Sequence, residues 1–193
     1  MAIWQRRAPC EFTNTVTVTG VTTLTGNTGL TPGAGAPGKG SGGTYNSWRE
    51  IAGGVIKTSI LVDLTGCTPA GGLHDAIGVV GSDPAHVGQV TTALCGTLFA
   101  GRMTVIEDPN GQVDIDLRSN TSATIAENGD ASAATSALLV EKAASWAQGS
   151  ATMSNGFTAL PAADTYLYLS KGAESSVSAY TAGKFLIELW GSA

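Results

Sequence analysis

Short segments of this chain alternate apolar and polar residues with a period of two, and Gly, Pro, Asn or Asp punctuates the sequence between them. Successive side chains of a strand point to opposite faces, so alternation over roughly four to eight residues marks a strand with one buried side. VIKTSILVD at 55–63 places Ile56, Thr58, Ile60 and Val62 on one face. TLFAGRMTVIE at 97–107 aligns Phe99, Met103 and Val105, with Gly101 marking a bulge or a close backbone approach. VDIDLR at 113–118 sets Val113, Ile115 and Leu117 against Asp114, Asp116 and Arg118. Asp108, Pro109, Asn110 and Gly111 supply turn chemistry between these last two segments, which predicts an antiparallel hairpin. TYLYLS at 165–170 and KFLIELW at 184–190 read as a second pair. Phe185, Ile187 and Leu189 form its apolar face, Leu167 and Leu169 meet them across the sheet, and Tyr166 and Tyr168 lie on the other side. SALLVEKAASWAQ at 136–148 is the one segment that competes for helix, being rich in helix formers and free of Gly and Pro. The expected fold is all-β: an antiparallel β-sandwich or jelly-roll body over 45–193, with at most one helix.

An N-terminal arm over 1–44 precedes that body. Val18, Leu24 and Leu30 recur every six residues, each followed by Thr, and Gly20 and Gly26 close the first two units. Such a β-repeat has too little apolar surface for a core of its own, so it pairs with something else: the main sheet, or a neighbouring subunit. PGAGAPGKGSGG at 32–43 reads as a flexible linker or mobile loop between arm and body. Gly33, Gly38 and Lys39 match part of a phosphate-binding loop, but Gly40 stands where Ser or Thr would hold magnesium. No buried strand leads into it and no good helix follows, so no nucleotide cofactor is expected.

Charged residues make up 13% of the chain, against about 25% in ordinary soluble proteins. A surface so poor in charge suits a protein that buries surface against partners. The net charge of −5 and the lack of a basic stripe argue against nucleic-acid binding. No run of about 20 apolar residues suggests a membrane span, and no signal-like stretch opens the chain, which predicts synthesis in the cytosol. Cys10, Cys67 and Cys95 are too few and too irregular for a disulfide framework or a zinc site, and read as small apolar residues.

Catalytic constellations are scarce. His74 and His86 sit in loop sequence, and no G-x-S-x-G elbow accompanies them. Asp114 and Asp116 share a strand face, where a solvated role beside Arg118 outweighs a calcium site built with Asp108 and Asn110. Trp4, Trp48, Trp146 and Trp190 suit core or interface anchoring. In the arm, Ile3 and Trp4 lack a local core and Arg6 and Arg7 suit acidic partners, while Val16, Val18, Leu24 and Leu30 can add to a sheet edge. These eight residues are the expected contacts to a partner or sister subunit.

TTALCGTLFAGRMTVIE at 91–107, VDIDL at 113–117, ADTYLYLSKG at 163–172 and YTAGKFLIELWG at 180–191 resemble virion structural proteins of marine tailed bacteriophages, some of which decorate or cement capsids. The resemblance implies a non-enzymatic homotrimer on the outside of the mature head, bridging major capsid protein subunits, made in the host cytoplasm and carried on the virion. VTVTGVTTLTG at 16–26 also looks like phage fibre stems, which implies the alternative of a head or tail fibre module binding a cell-surface glycan.

Overall fold

The alternating segments do become strands, and the fold is all-β, with one short helix among the described residues. The structure, a computed structural model, describes residues 29–40, 42–68, 71–110, 114–133, 135–141, 146, 154–172 and 179–193. In chain order the elements are β1 (Tyr45–Ala52), β2 (Val55–Asp63), β3 (Cys67–Thr68), β4 (Gly78–Val79), β5 (Gly88–Val90), α1 (Thr92–Cys95), β6 (Thr97–Glu107), β7 (Ile115–Asn120), β8 (Ala137–Val140), β9 (Ser154–Gly156), β10 (Thr165–Lys171) and β11 (Lys184–Ser192). They form a five-stranded sheet β1-β2-β11-β6-β9, a four-stranded sheet β5-β10-β7-β8 and the small pair β3-β4. The described pairings are antiparallel.

Both large sheets turn their apolar faces into one shared core. Ile60, Val62, Met103, Phe185, Ile187 and Leu189 come from the first, and Ile115, Leu117, Leu167 and Leu169 from the second. Trp146 closes one side: its ring meets Phe185 edge-on at 5.3 Å, and its Nε1 donates to the Ile115 carbonyl at 2.9 Å. The faces assigned from alternation therefore hold, including Ile56, Thr58, Ile60 and Val62 on the buried side of β2. Phe99 departs from its pattern and is 56% exposed. Trp190 pairs with Ala100 and Gly191 with Leu98, so Phe99 is the extra residue of a bulge, which releases it from the core face. Gly101 is a close approach, as expected. The Phe157 ring lies against it where a Cβ would collide, and Phe157 N donates to the Gly101 carbonyl at 2.8 Å.

Strand partners differ from the sequence reading. β6 pairs with β11 and β9, and β7 with β10 and β8, so 97–107 and 113–118 belong to different sheets rather than one hairpin. The intervening turn is fastened elsewhere: Asn110 Oδ1 accepts from the amides of Thr181 and Ala182, both at 2.9 Å, just before β11. β10 and β11 likewise do not pair. Leu167 and Leu169 meet Phe185 and Leu189 across the core, not across a sheet. The segment that competes for helix, 136–148, begins as β8, because Leu139 and Val140 bury beside β7, and this tertiary pairing outweighs local helix preference.

The glycine-rich segment is not a loose joint where it is described. Gly33 N donates to the His86 carbonyl at 2.9 Å and Gly35 N to the Pro84 carbonyl at 3.0 Å. A Cβ at Gly33 would strike the Pro84 carbonyl and one at Gly35 the Ser82 carbonyl, so Gly permits this backbone-to-backbone packing. Leu30, expected at a partner contact, is 3% exposed and belongs to the body's own core. Tyr45 holds it there, its hydroxyl lying 3.0 Å from the Leu30 carbonyl and 2.8 Å from that of Val87. The described residues from 29 onward thus pack with the body, ahead of the expected boundary at 45.

Candidate functional site

The outer faces of the two sheets are treated differently by the chain. Over the four-stranded sheet, residues 72–87 and 121–133 form a second layer. Ala76, Ala85 and Ala131 pack on Tyr168, whose hydroxyl donates to the Ser122 carbonyl at 2.7 Å. Asp116 and Arg118, expected on a solvated face, are buried beneath this layer at 3% and 7% exposure. Arg118 lies 3.2 Å from Asp116, donates to Ser170 Oγ at 3.2 Å and meets His74 Nδ1 at 2.9 Å. His74, at φ 66°, also anchors the layer through its backbone, which bonds to Lys171 and Ala131. This cluster is an internal fastening, and His74 is committed to it.

Among the described residues, none forms a comparable layer over the outer side of the five-stranded sheet. Strand register places Trp48, Ser59, Glu188 and Arg102 in one row across it. Flanking rows hold Lys57 with Trp190, and Leu61 with Leu186. Trp48, Leu61, Leu186 and Trp190 are all half-buried, each leaving part of its apolar surface to solvent. At the centre Glu188 is 2% exposed, held by Lys57 at 2.7 Å and Arg102 at 2.6 Å. The same two cations lie over the Trp190 ring, 5.9 Å and 5.5 Å from its centroid. The result is a surface with aromatic and aliphatic area, whose central carboxylate is shared by two cations, with the exposed Glu50 4.0 Å from Lys57 as a looser second acid.

Burial alone would raise the Glu188 carboxyl, but the hydrogen bonds and charges of Lys57 and Arg102 prevail and hold it below the ordinary glutamate value of 4.5. Its folded value being depressed, the pairing contributes fully above 4.5 and is lost as pH falls through that lower value. Glu188→Gln is expected to cost about 1–3 kcal/mol at neutral pH, with the gap to the parent protein narrowing as pH falls below the ordinary glutamate value of 4.5. Urea unfolding across pH checks this, and a gap that stays constant throughout the acid limb would contradict it.

The remaining sequence candidates are dispersed. Cys67 and Cys95 are buried and free, and burial pushes the Cys67 thiol up to about 11 and raises that of Cys95, which keeps both unreactive. Lys39 is exposed on a turn of the 33–40 segment. Asn110 is engaged with the chain before β11, and Asp114 is buried against Gly172. Among the described residues, no group of three or more His, Cys, Asp or Glu side chains is arranged to hold a metal ion. Ile3, Trp4, Arg6, Arg7, Val16, Val18 and Leu24 lie outside the described residues. The Lys57–Glu188–Arg102 trio escaped the sequence reading because its members come from three strands. The available signal was one glutamate inside the otherwise apolar FLIELW at 185–190. No family model, curated protein or solved structure matches this chain.

Proposed function

We propose that this chain is a non-enzymatic virion protein of the capsid decoration type, which binds the outside of a mature phage head and bridges major capsid protein subunits. The observation that carries the reading is the open face of the five-stranded sheet. Four half-buried apolar side chains, Trp48, Leu61, Leu186 and Trp190, share it with charges already paired among themselves. Docking such a face removes apolar area from water while Glu188 keeps both its cations, and the surplus positive charge suits an acidic patch on the partner. Binding that exists only on the intact lattice opposes rupture by mass action. A homotrimer at a threefold position lets several such faces act together.

The N-terminal arm belongs to this proposal. Gly29 lies against the backbone of Ser47 and Trp48, so the chain reaches the body beside β1, an edge strand. From there the arm, with Ile3, Trp4, Arg6, Arg7, Val16, Val18 and Leu24, grips a coat or sister subunit. Leu30 stays with the body. The test is to add purified protein to mature heads stripped of it. Saturable binding and a higher rupture temperature are expected, while failure to bind heads would overturn the proposal.

Two variants refine it. Trp190→Ala is expected to weaken attachment by about 2 kcal/mol, roughly thirtyfold. Removal of residues 2–28, stopping short of Leu30, is expected to leave a folded β body that sediments as a smaller species and attaches weakly. Full-length affinity and oligomeric state in that truncation would show the arm to be dispensable.

A further inference from the structure

On the outer face of the four-stranded sheet, one corner escapes the covering layer and forms a cavity of about 270 Å³. Thr31, His86, Gln89, Thr91, Leu94 and Tyr166 line it. Gln89 and Tyr166 are cross-strand partners of β5 and β10, so they rise side by side from the cavity floor. Thr91 caps α1, its hydroxyl accepting from Leu94 N at 3.3 Å, which sets Thr91 and Leu94 as one wall. His86 leans on the Tyr166 ring with centroids 4.8 Å apart and meets Tyr168 edge-on at 6.0 Å, so both aromatic neighbours fix its orientation.

His86 is 8% exposed, and its Nδ1 has no hydrogen-bond partner among the described residues. Gln89 Nε2 donates to the Asp164 carbonyl at 3.3 Å, which orients the amide and leaves Oε1 as an acceptor. The lining carries no carboxylate, ammonium or guanidinium, so a charged ligand would be desolvated without a counter-charge. A wholly apolar ligand would leave the imidazole, amide and threonine hydroxyls without partners. A compact neutral molecule with an apolar face and several hydroxyls meets both conditions: the face stacks on Tyr166 and Leu94, and the hydroxyls reach His86, Gln89, Thr31 and Thr91.

We propose that this cavity, bounded by His86, Gln89, Thr91 and Tyr166, is a binding site for a neutral sugar ring. The site lies on the opposite sheet from the Trp190 face and does not depend on the capsid role, so each can fail without the other. Desolvation, which lowers the His86 pKa and keeps the ring neutral, accords with an uncharged ligand. The experiment is saturation-transfer NMR and calorimetry on the full chain, using the methyl glycosides of glucose, galactose, mannose and N-acetylglucosamine, with adenosine and uridine as non-sugar controls.

At least one glycoside is expected to bind with a Kd on the order of 1 mM. Tyr166→Ala and Gln89→Ala should each weaken it by about tenfold or more, Tyr166→Phe should retain it, and Trp190→Ala should leave it unchanged. Circular dichroism identifies any variant that fails to fold, and Gln89→Ala, which removes only an amide at the cavity, then decides. No transfer to any glycoside at about 10 mM, tighter binding of a nucleoside, or glycoside binding indifferent to Gln89→Ala would overturn the assignment.

Discussion

Phe185→Ala is expected to destabilise the protein by about 3–5 kcal/mol, among the largest effects of any single core truncation in this chain. Phe185 is fully buried, stands on β11 between β2 and β6, and meets Trp146 edge-on. Truncation removes the ring's transfer free energy and leaves a cavity. Residues from both sheets line that space, and paired strands on each side of β11 limit their collapse into it. For a chain of this length the loss corresponds to a fall in Tm of roughly 6–20 °C, measurable by thermal and urea unfolding. Phe185→Leu, which keeps much of the volume, should cost well under half as much. A loss below about 1 kcal/mol for the alanine variant would mean that the two sheets do not share one rigid core.

Arg118→Met should be comparably damaging, at about 3–5 kcal/mol, for an electrostatic reason. Arg118 and Asp116 are buried together on the outer face of β7, and Arg118 also holds Ser170 and His74. Removing the guanidinium leaves the buried Asp116 without its cation and takes the partner from His74 Nδ1. The layer over the four-stranded sheet should therefore loosen as well. Hydrogen exchange at the amides of Ala76 and Ala131, bonded to Gly129 and His74, should quicken more than at β11. Adding Asp116→Leu to Arg118→Met should restore a substantial part of the stability, since an apolar pair avoids the stranded carboxylate. If the double variant is less stable than the single one, Asp116 contributes chiefly through partners other than Arg118.

How far these sites could be read in advance varies by residue. The buried face of β11 was legible because Phe185, Ile187 and Leu189 form an unbroken apolar face while Lys184 and Glu188 mark the other, and the burial of Trp146 accorded with its size. Asp116 and Arg118 look in sequence like any solvated strand face. Only the layer folded over them, from residues 72–87 and 121–133, makes them internal. The open face is similar: Trp48, Leu61, Leu186 and Trp190 lie on three strands, and only the register brings them together. The cavity beside His86 combines residues from 31 to 166, a grouping no local spacing announces.

The sequence by itself determined that this chain is all-β, where most strands run and which side of each faces the core. Those properties are local, since alternation within one strand records which side chains leave water. Tertiary structure decided which strands pair, which polar faces are covered and where the body begins. Ladder hydrogen bonds are made by backbone groups that every residue shares, so an apolar strand such as β6 can serve as neighbour to β7 or to β11 with equal chemistry. The choice falls to contacts distant in sequence. Asn110 fastens the turn after β6 to Thr181 and Ala182, and Gly33 and Gly35 seat a supposed linker against Pro84 and His86. Such contacts gain their free energy only once the whole core has assembled, which is why no single segment reveals them.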